Sequence, residues 1–247
     1  MARQRLDQYL VTHGHFQTRA RARDAVLRGC VMVGGLLAEK PSVHVGDGAQ
    51  VEIADPAQAY VSRAALKLVH GFDTFEIDVQ DAICVDIGAS TGGFTQVLIE
   101  RGARHVFAVD VGHDQLAKPL RDDPRVTNLE RLNARVLSSN HLDALQPDIV
   151  VSDVSFISLK LALPPALGLA KHGARCVLLV KPQFEVGRER IGKGGLVDAQ
   201  TAKACADAMR DWLDGLGGWR ATGVAPSPIK GGDGNQEYLL AGIKING

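Results

Sequence analysis

The sequence predicts a small α+β domain over residues 1–55 and an α/β domain with a mostly parallel sheet of seven strands over residues 62–247. After residue 61, apolar runs of four to six residues alternate with helical segments, which is typical of a parallel sheet covered by helices on both faces. The first 55 residues instead combine two helical patterns with three very short strand-like runs. The segment 56–61, which begins with Pro56, is the predicted linker.

The N-terminal part begins with two predicted helices. Leu6 and Leu10 share one helical face, and Gly14 is placed to end this first helix. Thr18 is a suitable N-cap for a second helix that runs to about Gly29. The three predicted strands follow at Val31–Val33, Leu36–Leu37 and Val51–Ile53.

The α/β part begins with a predicted helix that Ser62 caps and that ends near His70, with Gly71 as its stop. Strands and helices then alternate up to the C-terminal end of the sequence. The seven predicted strands are Ile83–Ile87, Val106–Val109, Val126–Leu129, Ile149–Ser152, Cys176–Val180, Ala221–Ala225 and Tyr238–Ile243.

The charge is unevenly distributed, although the formal net charge is zero. Residues 1–30 contain six arginines and two acids, a net charge of +4, whereas the remaining 217 residues carry 22 bases and 26 acids, a net charge of −4. Such asymmetry indicates a localised basic patch, as in a protein that binds nucleic acid. A solvated, arginine-rich helix would have the same charge, so charge alone leaves both interpretations open.

The four cysteines are widely separated and lack a nearby histidine that would complete a zinc site, so we expect no metal. The sequence has no N-terminal apolar signal core, and no apolar run approaches the roughly 18 residues of a membrane span. We therefore expect a protein of the cytoplasm.

A glycine-rich turn directly follows the first strand of the α/β part, where backbone can approach a ligand at the carboxyl edge of a sheet. The dinucleotide fingerprint requires glycine at the position of Ser90, which weighs against NAD. The next strand is followed by Asp110, a carboxylate suited to accept hydrogen bonds from two ribose hydroxyls. A plain strand–helix connection is the alternative, and the acid after the second strand argues against it.

Four charged residues, Lys67, Asp153, Lys181 and Glu237, lie at or near the ends of predicted elements. Asp153 and Lys181 directly follow apolar strands, a position that faces the ligand crevice in α/β folds. A lone lysine is more often a solvated surface charge. A lysine after four apolar strand residues fits that interpretation less well.

Residues 3–53 resemble the S-four-type (alpha-L) RNA-binding module, with Gly34 in place of the usual asparagine of its turn. The matching positions include Arg5-Leu6-Asp7, Thr18-Arg19, Ala25-Val26, Lys40-Pro41 and Gly46-Asp47. The resemblance implies a helix pair that contacts the phosphates of structured RNA. The RNA contacts expected in this part are Arg5, Arg19, Arg21, Arg23, Arg28 and Lys40.

The glycine turn together with Asp110 resembles the FtsJ-like RNA ribose methyltransferases. The resemblance implies a Rossmann-type methyltransferase dependent on S-adenosylmethionine, in which the turn lies near the methionine part of the cofactor. The cofactor contacts that it implies are Asp86, Gly88, Ala89, Ser90, Gly92, Gly93, Phe94, Asp110, Val111, Asn133 and Asp153.

The four charged residues match, in order and context, the Lys-Asp-Lys-Glu tetrad of ribose 2′-O-methyltransferases. Their surroundings resemble the TlyA (haemolysin-A-like) family of ribosomal RNA methyltransferases almost from end to end. The matching segments include Ser62-Arg63, Ser152-Asp153-Val154-Ser155-Phe156, Lys181-Pro182-Gln183-Phe184-Glu185 and Asn235-Gln236-Glu237. The resemblance implies 2′-O-methylation of cytidine in ribosomal RNA. The nucleotide, the choice of one or both ribosomal subunits and the oligomeric state stay open.

A ribose hydroxyl is a poor nucleophile, so such an enzyme must align an in-line displacement and help the proton leave. We expect Lys181 to act as the base, Asp153 to hold it, and Glu237 to orient Lys67 or the hydroxyl. Arg63 and the segment 187–195 are further expected RNA contacts, the latter through Arg188, Arg190 and Lys193, although an ordinary solvated loop is equally compatible with that segment.

Two other classes of function remain as alternatives. A non-catalytic RNA-binding or ribosome-assembly factor would keep the fold, but the intact tetrad and glycine turn argue against it. A membrane-lytic haemolysin would need spanning segments or a secretion signal, and the sequence shows neither.

Overall fold

A computed structural model of the chain describes residues 3–245. The chain forms two compact units, which divide between Gln58 and Ala59. A 3₁₀ turn at Pro56–Ala59 spans this division and lies within the predicted linker.

The N-terminal unit contains two helices and five short strands: β1 (Arg3–Arg5), α1 (Leu6–Thr12), α2 (Arg19–Leu27), β2 (Val31–Val33), β3 (Leu36–Leu37), β4 (His44–Gly46) and β5 (Val51–Ile53). Thr18 caps α2, because its side chain accepts a hydrogen bond from the backbone N–H of Arg21 at 3.3 Å. Strands β2, β3 and β5 lie where the sequence predicts them. The sequence does not predict the antiparallel pair β1 and β4, because a strand of three residues is too short to show an alternation of apolar and polar side chains.

The C-terminal unit alternates helices and strands: α3 (Ala65–Phe75), β6 (Ile83–Ile87), α4 (Gly93–Glu100), β7 (His105–Val109), α5 (Lys118–Arg121), β8 (Val126–Leu129), β9 (Ile149–Ser152), α6 (Leu159–Ala162), α7 (Pro164–Leu169), β10 (Arg175–Val180), α8 (Pro182–Glu185), α9 (Ala199–Gly215), β11 (Trp219–Pro226) and β12 (Tyr238–Lys244). All seven predicted strands are present, with ends that differ by at most two residues. The predicted fold class is confirmed.

The sheet has the order β11-β12-β10-β9-β6-β7-β8, and β12 is antiparallel to both of its neighbours. Helices cover both faces, and successive strand residues alternate between two cores. Val85 and Leu178 belong to one core, and Cys84 and Val177 to the other. The strand order reverses at β6, with β7 on one side and β9 on the other, so a ligand crevice is expected outside the carboxyl ends of β6 and β9.

The register of the strands decides which residues meet at this carboxyl edge. Ile87 lies opposite Ser152 in β9 and Val109 in β7, so the residues after these three strands meet at one point of the sheet edge. Tyr238 lies opposite Val180, and because β12 is antiparallel, its first residues lie at the carboxyl edge as well. The segments before β12 and after β10 therefore adjoin.

The predicted bounds of α3 are wrong at both ends. The helix begins after Ala64 and runs past Gly71 to Phe75, and Ser62 lies before it. Gly71 serves packing rather than termination, since a Cβ at this position would lie 2.9 Å from Val177 Cγ1 in the sheet below. The helix ends instead at Glu76, whose φ of 50° is left-handed.

Gly71→Ala should therefore destabilise the fold, although alanine is the better helix former. Overpacking costs about 1–3 kcal/mol, whereas the gain in helix propensity is at most about 1 kcal/mol. Gly168→Ala in α7 is the matched control, because an added Cβ there has no neighbour within 4 Å. Urea denaturation should show Gly71→Ala to be the less stable variant. Equal stability of the two variants would contradict this role of Gly71.

Candidate active site

The glycine turn after β6 lies directly against the chain that leaves β9. Gly88 has a φ of 87°, and a Cβ on it would lie 3.0 Å from both the backbone nitrogen and Cγ1 of Val154. Glycine is therefore required here by conformation and by space. Because Gly88 has no side chain, the backbone of the turn can come close to a ligand in the crevice at the switch point of the sheet.

Asp110, after β7, is fixed by two backbone N–H groups. Ser90 donates to Oδ2 at 2.8 Å and Gly112 donates to Oδ1 at 2.7 Å. Ser90, which replaces the middle glycine of a dinucleotide fingerprint, has a left-handed φ of 47°. Each carboxylate oxygen keeps further acceptor capacity, so Asp110 can still bind hydroxyl groups of a ligand.

Two adjoining cavities, of about 150 and 490 Å³, open beside this carboxylate and share Gly88, Ser90, Asp153 and Ser155. Together the two cavities form one cleft along the carboxyl edge of the sheet. The predicted cofactor residues that line the smaller cavity also include Ala89, Gly93 and Phe94, and those that line the larger one include Asp110, Val111 and Asn133.

Two predicted cofactor contacts do not line this cleft. Asp86 is fully buried, and its Oδ2 accepts a hydrogen bond from Thr95 Oγ1 at 2.7 Å, which ties α4 to the end of β6. Gly92 faces Leu116 and Leu120, which lie within 3 Å of where its Cβ would be. Both residues support the turn rather than reach the cavity.

The four tetrad residues line one cavity of about 480 Å³, which adjoins the cleft through Asp153, Ser155 and Lys181. Lys67 Nζ lies 2.5 Å from Glu237 Oε2, and both side chains are buried. Lys181 Nζ lies 2.6 Å from Asp153 Oδ1 and donates a hydrogen bond to Ser155 Oγ at 2.7 Å. The sequence places these residues far apart, and the fold joins them as two ion pairs.

The segment after Asp153 is held against α8 by Glu185. This carboxylate accepts hydrogen bonds from Ser158 Oγ at 2.6 Å and from the Leu159 backbone N–H at 2.8 Å. Burial raises the pKa of Glu185. Because α8 directly follows Lys181, Glu185 fixes the two chain segments that carry the Asp153–Lys181 pair.

The tetrad cavity is also lined by residues for which the sequence indicated no role, among them Phe156, Phe184, Gln183 and Asp233. Phe156 is 90% exposed and has a left-handed φ of 65°, and its ring centroid lies 5.1 Å from that of Phe184. Exposure and a left-handed backbone are both unusual for phenylalanine. The first three residues lie in segments that carry the family resemblance, but nothing in their spacing indicated that they share a cavity.

The predicted RNA contacts of the N-terminal unit differ in their surroundings. Arg5 and Arg19 both pair with the buried Asp7 at 3.0 Å. The side chain of Arg5 is still 43% exposed, and that of Arg19 is 57% exposed. The hydrogen bonds from Arg5, together with those from Arg19, lower the pKa of Asp7 to about 2. Arg23 and Lys40 are exposed.

Arg28 has different surroundings from the other predicted RNA contacts. Its side chain is only 13% exposed, and its guanidinium pairs with Asp24 at 2.7 Å and with Asp55 at 2.8 Å. These contacts tie the end of α2 to the segment after β5, which is a structural role. We therefore leave Arg28 out of the proposed RNA contacts.

The segment 187–195 is exposed over most of its length and contains two 3₁₀ turns, Arg188–Arg190 and Lys193–Gly195. The buried Asn235 anchors its end, because the side chain donates to the Gly195 carbonyl and accepts from the Val197 N–H, both at 2.8 Å. Ile191 and Gly195 line the tetrad cavity. The three bases of this segment thus lie beside the cavity on a loop that is anchored next to Glu237.

Within residues 3–245, no helix is long and apolar enough to cross a membrane. The same part of the chain contains no group of three or more His, Cys, Asp or Glu side chains placed to hold a metal ion.

Comparison with known proteins agrees with this geometry. Residues 60–244 match the FtsJ-like methyltransferase family, and residues 4–51 match the S4 domain. The chain is 46% identical over 240 residues to the 16S/23S rRNA (cytidine-2′-O)-methyltransferase TlyA of Mycobacterium tuberculosis, which covers 96% of this chain and 89% of that protein. It is 40% identical over 237 residues to Hemolysin A of Brachyspira hyodysenteriae, which covers 95% and 98%, respectively. A solved structure described as a hemolysin from Streptococcus thermophilus has a TM-score of 0.77 at 38% identity, and the match covers all of this chain and 90% of that one.

The fold, the glycine turn and these matches define the chain as a methyltransferase. It belongs to the FtsJ-like methyltransferase family and, with its N-terminal S4 domain, to the TlyA branch of that family.

The buried carboxyl group of Asp86 should make the free energy of unfolding depend on pH. Burial raises its pKa to about 7, and the nearby Asp153 and Asp110 add to the rise, while the Thr95 hydroxyl opposes it. The unfolded chain loses this proton near pH 4, so from about pH 4 to 7 unfolding releases a proton, and the free energy of unfolding falls as pH rises.

Asp86→Asn should remove this dependence, since an asparagine oxygen still accepts from Thr95 but carries no titrating proton. Urea denaturation at pH 5 and pH 8 should show a smaller loss of stability in this variant than in the wild type. Asp207→Asn, on the surface of α9, is the control. A wild-type pH dependence in Asp86→Asn would show that another group is responsible.

Proposed function

We propose that this chain transfers a methyl group from S-adenosylmethionine to the ribose 2′-hydroxyl of cytidine in ribosomal RNA. The observation that carries the proposal is the single cavity lined by Lys67, Asp153, Lys181 and Glu237, next to the cleft at the glycine turn. The name of the Mycobacterium tuberculosis relative supports the nucleotide and the RNA class.

The cleft fits the cofactor in the types of residue that line it. Asp110 would accept the ribose hydroxyls, and Val111 and Asn133 lie toward the end where a base would bind. The turn at Ala89–Phe94 would hold the methionine part, near Asp153 and Lys181. When bound, the cofactor supplies a methyl group already activated by its sulfonium.

The residues of the tetrad cavity would align the hydroxyl and remove its proton. Lys181 in its neutral form would accept the 2′-hydroxyl proton, while Asp153 and Ser155 hold its nitrogen in place. The second cation of the tetrad, Lys67, lines the same cavity. Glu237 holds Lys67 and balances its charge. General-base help of this kind contributes about 10²–10⁴-fold.

The RNA would be held at two places. In the N-terminal unit, the exposed arginines suit phosphate contacts, which have no sequence preference of their own. Beside the tetrad, the exposed Phe156 offers a ring on which an unstacked base can lie, and such stacking stabilises by about 1–3 kcal/mol. Arg63 and the bases of segment 187–195 are further proposed contacts.

Asp110→Ala tests the cofactor assignment. Loss of the carboxylate should weaken S-adenosylmethionine binding at least about tenfold, since a charged acceptor of two hydroxyls contributes about 1.5–3 kcal/mol. Calorimetry of this variant should be compared with that of Asp207→Ala, which changes an exposed carboxylate on α9. Unchanged affinity, or tight NAD binding without S-adenosylmethionine binding, would overturn the assignment.

Lys181→Ala tests the chemistry. Methyl transfer should fall by at least about 10²-fold while cofactor affinity stays within about twofold, because a proton-transfer group affects the transition state more than the ground state. Lys203→Ala, an exposed lysine of α9, is the matched control. Single-turnover transfer from labelled cofactor measures the rate, and normal turnover in Lys181→Ala would refute the mechanism.

Removal of residues 1–58 tests whether the N-terminal unit supplies RNA binding while the C-terminal unit binds the cofactor. The truncated chain should bind ribosomal RNA more weakly and with a smaller salt dependence, because it lacks the phosphate contacts, while it keeps its affinity for the cofactor. Binding measured at several salt concentrations gives both quantities. Equal RNA affinity of the truncated and full chains would assign RNA binding to the C-terminal unit instead.

A further inference from the structure

We propose that the carboxamide of Gln183, fixed by Asp233, reads the base edge of the target nucleotide and selects cytidine over uridine. This inference rests on the proposed function, since it names the residues that set the base preference of the same site. Both residues line the tetrad cavity, together with Phe156, Lys181 and Glu237.

The Gln183 side chain is held at one end only. Its Nε2 donates a hydrogen bond to Asp233 Oδ2 at 3.0 Å. Its Oε1 is buried and has no hydrogen-bond partner within residues 3–245. A buried acceptor without a donor is unfavourable, and in a residue that lines a substrate cavity it indicates a donor on the ligand.

The contact with Asp233 fixes which atom of the carboxamide is the oxygen. A carboxylate only accepts hydrogen bonds, so the atom that meets it must be the Nε2 donor. Asp233 is itself held in place, because its Oδ1 accepts from the backbone N–H of Asn235 at 3.2 Å. Rotation of the amide by half a turn would place two acceptors against each other.

A carboxamide in this orientation offers one free acceptor, Oε1, and one remaining N–H donor. Cytosine presents the complementary pair on its Watson–Crick edge, an N4 amino donor next to the N3 acceptor. Uracil presents the opposite pair, an O4 acceptor next to an N3–H donor. A uracil in the position of this cytosine would place its O4 against Oε1, two acceptors, so in that position it matches only the rotated amide, which Asp233 excludes.

The position of Gln183 connects this reading to the reaction. It lies in α8, two residues after Lys181, and both residues line the tetrad cavity, so a base held by its carboxamide would lie in the same cavity as the proposed general base. The rings of Phe156 and Phe184, at 5.1 Å from each other, provide stacking surfaces without any base preference. The hydrogen bonds of Gln183 then provide the discrimination that stacking lacks.

The test uses the full chain and ribosomes from cells that lack its gene. Methylation with labelled S-adenosylmethionine and mapping locate the modified cytidine, and ribosomes with uridine at that position provide the second substrate. The measured quantity is the ratio of kcat/KM for the cytidine ribosome to that for the uridine ribosome. The wild type should favour cytidine by about 10- to 100-fold, the range of a bidentate base contact.

Asp233→Asn frees the amide to rotate, because an asparagine side chain can donate as well as accept. This variant should gain activity on the uridine ribosome, and the ratio should fall below about threefold, since the rotated amide then pairs with uracil as well. Gln183→Ala should lose the preference and retain cofactor affinity. Asp211→Asn, an exposed aspartate of α9, is the matched control and should keep the wild-type ratio.

The outcomes separate the two claims. If the wild type methylates neither ribosome, the proposed function fails. If it methylates cytidine, and Asp233→Asn and Gln183→Ala both keep its preference or slow both substrates equally, then this pair is only a structural link and the inference is overturned. Thermal unfolding of each variant shows that a change in the ratio occurs in a folded protein.

Discussion

The site depends on the register between β10 and its antiparallel neighbour β12. Because Val180 lies opposite Tyr238, the residue before β12 and the residue after β10 come to the same edge of the sheet. Glu237 and Lys181 are these residues, and α3, which packs on the same part of the sheet, brings Lys67 to Glu237. A shift of one residue in this register would turn every side chain of β12 to the other face and separate the two ion pairs.

Buried ion pairs are a poor way to stabilise a fold, because desolvation offsets much of their attraction, and apolar replacements are often as stable. Two such ion pairs in one cavity are therefore best explained by a role in catalysis. Asp153 is the residue that connects the parts: it lines the cofactor cleft and the tetrad cavity, and it pairs with Lys181. Through Asp153, the position of the proposed general base, Lys181, is tied to the position of the methyl donor.

Apolar runs predicted the seven strands of the sheet, and the residues that follow them could be placed at one edge. The five inner strands, β6, β7, β9, β10 and β12, are buried on both faces, whereas the edge strands β8 and β11 are only partly buried. Gly71 was misread as a helix stop because its reason for being glycine, the nearby Val177 side chain, belongs to a strand distant in sequence. Arg28 likewise pairs with Asp55 across the N-terminal unit. The roles proposed for Phe156 and Gln183 depend on a shared cavity that no local pattern reveals.

In the proposed function, the residues around one cavity with two ion pairs catalyse methylation of a cytidine ribose in ribosomal RNA. Mapping of ribose 2′-O-methyl groups tests it most directly, in cells with the gene, without it, and with a Glu237→Gln allele. We expect at least one cytidine that is methylated only by the wild type, with the Glu237→Gln protein present at normal level. An identical methylation map in all three strains would contradict it.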